Sequence, residues 1–273
     1  MIKPYPHLVF GYGSLICPDS RAITAPTVAD RTVLPVSIKG VERTWAKQSQ
    51  TSKATSMGVQ FREGAECVGV LVPVNDSELK SFDKREVGYD RYEIPLEDIE
   101  PVVHLLGDND SAQTVYDNTF LGEDFDLEHA TDVPQVWIYV QQDPVPASPQ
   151  FPIAQSYVDI MLRGCLTISK EFADEFIQTT KGWDPLELSD DDDESVSMDD
   201  SERSSSSSSD MEEEGGWWVD DRTDPLYVRA DSDYSLRHRH KIDRILKENL
   251  PQKFPSRIRR GKSQVLKKQT PDQ

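Results

Sequence analysis

His7-Leu8-Val9-Phe10-Gly11-Tyr12-Gly13-Ser14-Leu15 opens as a short apolar run and ends as a loop. The run through Val9 and Phe10 reads as a buried strand. Two glycines one residue apart then break it, and glycine lets another group come close to the backbone. A buried strand that runs into Gly-x-Gly-Ser presents backbone N–H groups and one hydroxyl to whatever sits over its end. That arrangement suits an oxygen anion or a polarised carbonyl. Three familiar glycine loops do not fit. A dinucleotide fingerprint needs glycine where Ile16 stands, a P-loop needs a lysine after the glycines, and a nucleophile elbow around Ser14 needs glycines at Tyr12 and Ile16. An ordinary strand-to-loop turn stays open.

The chain of 273 residues is 36% hydrophobic, enough for one substantial core or two smaller ones. Its net charge of -19 speaks against a general nucleic-acid binder, which carries a basic footprint. Most of that charge lies in one acidic run, and the last stretch is basic. Cys17, Cys67 and Cys165 form no CxxC pair and no cluster with histidine. A structural metal site is therefore not expected, and free thiols in a reducing compartment are. With no signal-peptide pattern and no run of about 20 apolar residues, a soluble cytoplasmic protein without a membrane partner is expected.

Beyond the glycine loop, residues 30–41 alternate as a second strand, followed by a polar, turn-rich stretch over 43–56. Residues 57–61 and 67–74 read as two further strands separated by a turn at Glu63-Gly64, with Gly69 marking a bulge or a close approach. Asn75-Asp76-Ser77-Glu78 starts a helix with capping side chains and an early acid. Leu79, Phe82 and Glu86 share one stripe of that helix, so Glu86 projects inward. An inward carboxylate must be paired, for example with Arg85 or Arg91, or carry a raised pKa. Both readings are open. Residues 136–140 are a β-prone run, and 153–176 read as two helices broken around 166–169, with Ser169 capping the second.

Phe10-Gly11-Tyr12-Gly13-Ser14-Leu15 resembles the N-terminal signature of the γ-glutamylcyclotransferase superfamily, the ChaC, AIG2-like and γ-glutamylamine cyclotransferase group. Asp83-Lys84-Arg85-Glu86-Val87-Gly88-Tyr89 is similar to its second signature, and residues 152–183 resemble the C-terminal half of plant, algal and fungal members. The resemblance covers most of 1–183 and part of 217–250. It implies an α+β fold, a small mixed β-barrel flanked by helices. It implies a γ-glutamyl cyclotransferase: the α-amine of a small γ-glutamyl compound attacks its own γ-carbonyl and releases 5-oxoproline and an amine, with no metal or organic cofactor. Glu86 would be the catalytic acid/base. Tyr12, Gly13, Ser14 and Leu15 would cradle the substrate, with Tyr92 and Tyr157 as tyrosines near it. Packing roles for both tyrosines stay open.

Residues 184–216 carry Asp, Glu and a run of six serines, Ser204 to Ser209, with almost no apolar groups. Such a segment is expected to be disordered. Ser189, Ser197, Ser207 and Ser209 each have an acid three residues later, the spacing read by an acidophilic kinase. A solvating linker is the plainer reading. Because residues 218–222, 225–229 and 242–246 resemble a late family element, the acidic tract reads as an insertion within one domain. Residues 251–273 read as a basic, flexible tail, most simply solvated, with a nucleic-acid contact, a nuclear address or folding back on the acidic tract as the other readings. A competing reading makes the barrel a non-catalytic binding or regulatory module controlled through the insert.

Overall fold

A computed structural model of the chain describes residues 5–106, 134–184 and 217–260. The acidic tract expected to be disordered, its candidate phosphorylation sites and residues 261–273 lie outside the described residues.

The protein is an α+β structure built on a nine-stranded mixed sheet flanked by helices. Strand β1 (His7–Gly11) sits inside it, with Val9 and Phe10 fully buried. Strand β2 spans Leu34–Ser49 and β3 spans Ala54–Val74. Strand β4 covers Asp90–Ile94, β5 covers Ile99–Pro101 and β6 covers Gln135–Val140. On one side β1 pairs antiparallel with β3 (Val9 opposite Val72), and on the other it pairs parallel with β6 (Val9 opposite Trp137). Both edges of β1 are thus paired, and its apolar run Leu8-Val9-Phe10 is buried on both faces. Three short strands, β7 (Ile153–Ala154), β8 (Trp218–Asp220) and β9 (Ile258–Arg259), extend the sheet from β3.

The polar 43–56 stretch and the Glu63-Gly64 turn are corrected by this sheet. β2 continues through Ser49, and β3 is one strand of 21 residues. Glu63-Gly64 lies in a bulge, where pairing slips between Lys39–Glu66 and Val41–Phe61, and Gly40 (φ 70°) and Gly64 (φ 76°) adopt left-handed backbone. Arg43 enters the strand fully buried. Its guanidinium donates to Val68 O (2.6 Å), Phe176 O (2.6 Å) and Thr180 Oγ1 (2.8 Å) and lies 3.7 Å from the Phe176 ring centroid. Those acceptors come from distant parts of the chain, so no local pattern announces them. Gly69 marks a close approach: a Cβ there would lie 2.5 Å from Phe10 Cζ and 2.6 Å from Gly11 O.

Two helices begin at the caps read in the sequence, Asn75 and Ser169. Helix α1 (Pro18–Thr24) follows the glycine loop. Helix α2 (Asp76–Arg85) has Asn75 at its N-cap, with Glu78 completing a capping box. Helices α3 (Gln155–Ile168) and α4 (Lys170–Thr179) break at Ser169, whose hydroxyl accepts from Phe172 N at 2.8 Å. Helix α5 covers Ser232–Asn249.

The described part of 251–273 is not free. Phe254 is buried against Trp218, and Arg257 donates to Asp243 (2.9 and 3.0 Å) and Gln155 Oε1 (2.7 Å). Packing and ion pairing hold 251–260 in the fold. Among the described residues, no helix is long and apolar enough to cross a membrane, and no cluster of ligating side chains could hold a metal.

Candidate active site

The glycine loop and Glu86 meet in one cavity of about 30 Å³, lined by Tyr12, Gly13, Ser14, Leu15, Met57, Glu86, Tyr89, Tyr139 and Tyr157. A larger surface groove, bordered by Glu42, Phe61, Lys181 and Pro251, shares none of these residues. The small cavity is the one that gathers the loop and the carboxyl singled out in the sequence.

Strand β1 delivers the loop at the sheet's end. Ile16 N donates to Gly13 O and Cys17 N to Ser14 O, closing a 3-10 turn over Ser14–Ile16. The amides at the start of such a turn are left without partners inside it. Two close approaches hold the loop. Gly13 faces the Tyr157 hydroxyl, with room for only 3.0 Å to an added Cβ, and Gly164 of α3 lies against the Ile16–Cys17 backbone, where a Cβ would come within 2.6 Å of Cys17 N. Helix α3 thereby places Tyr157 over the loop.

Glu86 lies one residue beyond α2, as its C-cap, not within the helix as the periodicity suggests. Gly88 (φ 83°) then reverses the chain and brings Tyr89 into the lining. The Glu86 carboxylate meets Arg85 Nε at 3.0 Å, with 17% of the Glu86 side chain exposed. Burial pushes its pKa up, and the positive charges of Arg85 and Arg229 pull it down; the net direction is upward. The paired and raised-pKa readings thus both hold. Arg91 pairs with Asp83 at 2.7 Å.

Arg85 joins the parts. It donates to the Ser14 hydroxyl (2.9 Å), to Ser20 O (2.7 Å) and Oγ (2.9 Å), and to Thr24 Oγ1 (2.8 Å). The loop hydroxyl, α1 and the carboxylate therefore share one guanidinium.

Tyrosines complete the wall. Tyr12 donates to Tyr139 O (2.6 Å), Tyr89 to Met57 O (2.8 Å), and Tyr139 to Asp83 Oδ1 (2.9 Å). Burial raises the Tyr12, Tyr89 and Tyr157 phenols, and Glu86 adds to each shift. All three stay neutral donors near pH 7.

Tyr92 is corrected. It lies on β4, 41% exposed, its ring 5.3 Å from Phe61 and outside the cavity. β4 pairs with β6 and turns Tyr92 to the surface, while Tyr89 occupies the lining instead. Tyr89 and Met57 went unassigned in sequence, and Arg85 was read only as a partner for Glu86, not as a link to the loop. The signal for Tyr89 was Gly88 beside it, which reverses the chain directly after Glu86.

No protein-family model matches the chain, and no curated protein matches it. Solved structures similar to it include an uncharacterised protein from Homo sapiens (16% identity, TM-score 0.43, covering 62% of this chain and 85% of that one). Another is a γ-glutamyl cyclotransferase at 15% identity and TM-score 0.43, covering 62% of this chain and 85% of that one. A glutathione-specific γ-glutamyl cyclotransferase from yeast is similar at 14% identity and TM-score 0.34, covering 63% of this chain and 88% of that one. Likenesses this distant assign no residue a role.

Proposed function

We propose that the chain is a γ-glutamyl cyclotransferase. The observation that carries this reading is a desolvated carboxyl, Glu86, in the same small cavity as a Gly-Ser loop that starts more than 70 residues earlier. The α-amine of a γ-glutamyl compound attacks its γ-carbonyl carbon, a five-membered lactam closes, and the C–N bond to the leaving amine breaks. The nucleophile is tethered, so positioning and proton transfer are what the site must supply.

Glu86 as carboxylate takes one proton from the α-ammonium and delivers it to the departing nitrogen. The ring nitrogen gives up its second proton to the released amine or to solvent as the lactam forms. A carboxyl with a raised pKa suits both Glu86 steps. The Ser14 hydroxyl and the amides of Gly13-Ser14-Leu15 face the oxygen that gains charge. Tyr157 and Tyr89 stay neutral beside Glu86 and keep the wall donor-rich without adding charge. The cavity has room for about two water molecules, so the γ-glutamyl head enters by displacing lining side chains. Met57, unbranched and adaptable, is the one best able to move.

Purified protein and Glu86→Gln, incubated with a panel of γ-glutamyl amino acids, γ-glutamylamines and glutathione, test this through 5-oxoproline release. Release by the wild type that falls at least about a hundredfold in the variant supports the reading. No release from any compound, or equal release by both, overturns it.

A further inference from the structure

The segment 221–231, between β8 and α5, lies beside the cavity and is fixed at several points. The Asp221 carboxylate accepts from Ser156 N, Ser156 Oγ and Leu226 N, each at 2.7 Å, and Ser156 directly precedes Tyr157. Arg222 is locked to Asp159 at 2.7 and 2.8 Å, and Asp231 caps α5 while pairing with Arg163 at 3.0 Å. Between these anchors Val228 points to solvent, 73% exposed, and Tyr227 before it packs against Tyr157 of the cavity wall. The Tyr227 ring centroid lies 4.6 Å from that of Tyr157, and the Tyr227 hydroxyl is buried with no hydrogen-bond partner among the described residues. Arg229 is half-buried, and its charge acts on Glu86; it makes no hydrogen bond or ion pair among the described residues.

A buried hydroxyl without a partner costs free energy that a ligand can recover. A guanidinium in no ion-pair contact among the described residues, near a general base that is already paired with Arg85, points to an anion on the ligand itself. In a γ-glutamyl group the α-ammonium and α-carboxylate sit on one carbon. A ligand that presents its ammonium to Glu86 therefore brings its carboxylate into the reach of groups flanking that residue.

We propose that Tyr227 and Arg229 form the subsite for the α-carboxylate of the γ-glutamyl group, an inference that rests on the cyclotransferase reading. The segment that follows the acidic tract thereby selects substrates by their free α-carboxylate. It is held rigid by Asp221, Arg222 and Asp231, so the subsite is formed before the substrate arrives.

Two probes isolate the carboxylate without turnover: 5-oxoproline, which carries it, and 2-pyrrolidinone, which is the same lactam without it. Calorimetric titration of the full-length wild type should show about ten- to a hundredfold tighter binding of 5-oxoproline. Arg229→Gln loses that preference, and Arg229→Lys keeps part of it. Tyr227→Phe weakens 5-oxoproline binding while leaving the unfolding midpoint unchanged or higher. Equal binding of the two lactams by the wild type, failure to bind either, or an undiminished preference in Arg229→Gln overturns the subsite. Wild-type turnover with that undiminished preference defeats the subsite alone. An Arg229-dependent preference in a protein that cyclises no γ-glutamyl compound defeats the reaction alone and keeps the carboxylate site.

Discussion

Glu86 carries opposing influences, and their signs predict its behaviour. Burial raises its pKa, so between its ordinary and its raised value the folded protein holds a proton that the unfolded chain has lost. Stability therefore falls as pH rises through that window. Glu86→Gln should unfold at a higher temperature than the wild type at pH 7, with the gain gone once pH drops below the usual carboxylate range; thermal melts at several pH values check this. Arg85 acts in the opposite direction, as a positioning residue that favours the carboxylate. Arg85→Met should move the acidic limb of the kcat/KM profile to higher pH, because the base then loses a cation that helps it ionise. An unmoved limb would mean that the pair is structural only.

Among the elements, α3 and the 3-10 turn meet backbone to backbone at Gly164. An alanine methyl there would lie 2.6 to 2.8 Å from Cys17 N, Ile16 C and Cys17 Cα, atoms that cannot swing aside as a side-chain tip could. Gly164→Ala should cost about 1–3 kcal/mol of stability by overpacking and displace Tyr157 from the loop. Denaturant titration measures the first effect and substrate KM the second. Gly40, where an added Cβ meets nothing within 4 Å, makes a contrasting control, since only its left-handed backbone resists substitution.

Across the molecule, the 217–260 segment belongs to the same sheet as the N-terminal strands, and one buried ion pair anchors it. Asp159 is fully buried and Arg222 nearly so. Burial works against the Arg222 charge, yet the Asp159 and Asp243 carboxylates outweigh it and hold the guanidinium above its usual pKa. Removing one partner leaves a lone buried charge, so Arg222→Met should destabilise the protein by about 3–5 kcal/mol. It should also loosen the segment that carries Tyr227 and Arg229. Limited proteolysis, with cleavage appearing first near 221–231, tests that order of events.

Much of this was legible in sequence because the relevant physics is local. The apolar run of β1, the two-glycine break, the Asn75 and Ser169 caps and the apolar stripe of α2 that leads up to Glu86 all follow from neighbours within a few residues. They were enough to place Glu86 and the Gly13-Ser14-Leu15 loop as site candidates. The tertiary structure decided what depends on partners far along the chain. Arg43 can lie in a buried strand only because Val68, Phe176 and Thr180 offer acceptors there. Tyr92 faces outward, and Tyr89 inward, because strand pairing and the Gly88 reversal set their directions. Tyr227 packs against Tyr157 because Asp221 and Arg222 bind α3 some 65 residues back in the chain. Such pairings are settled by which buried polar groups find each other after the chain has collapsed, and no stretch of sequence states them alone.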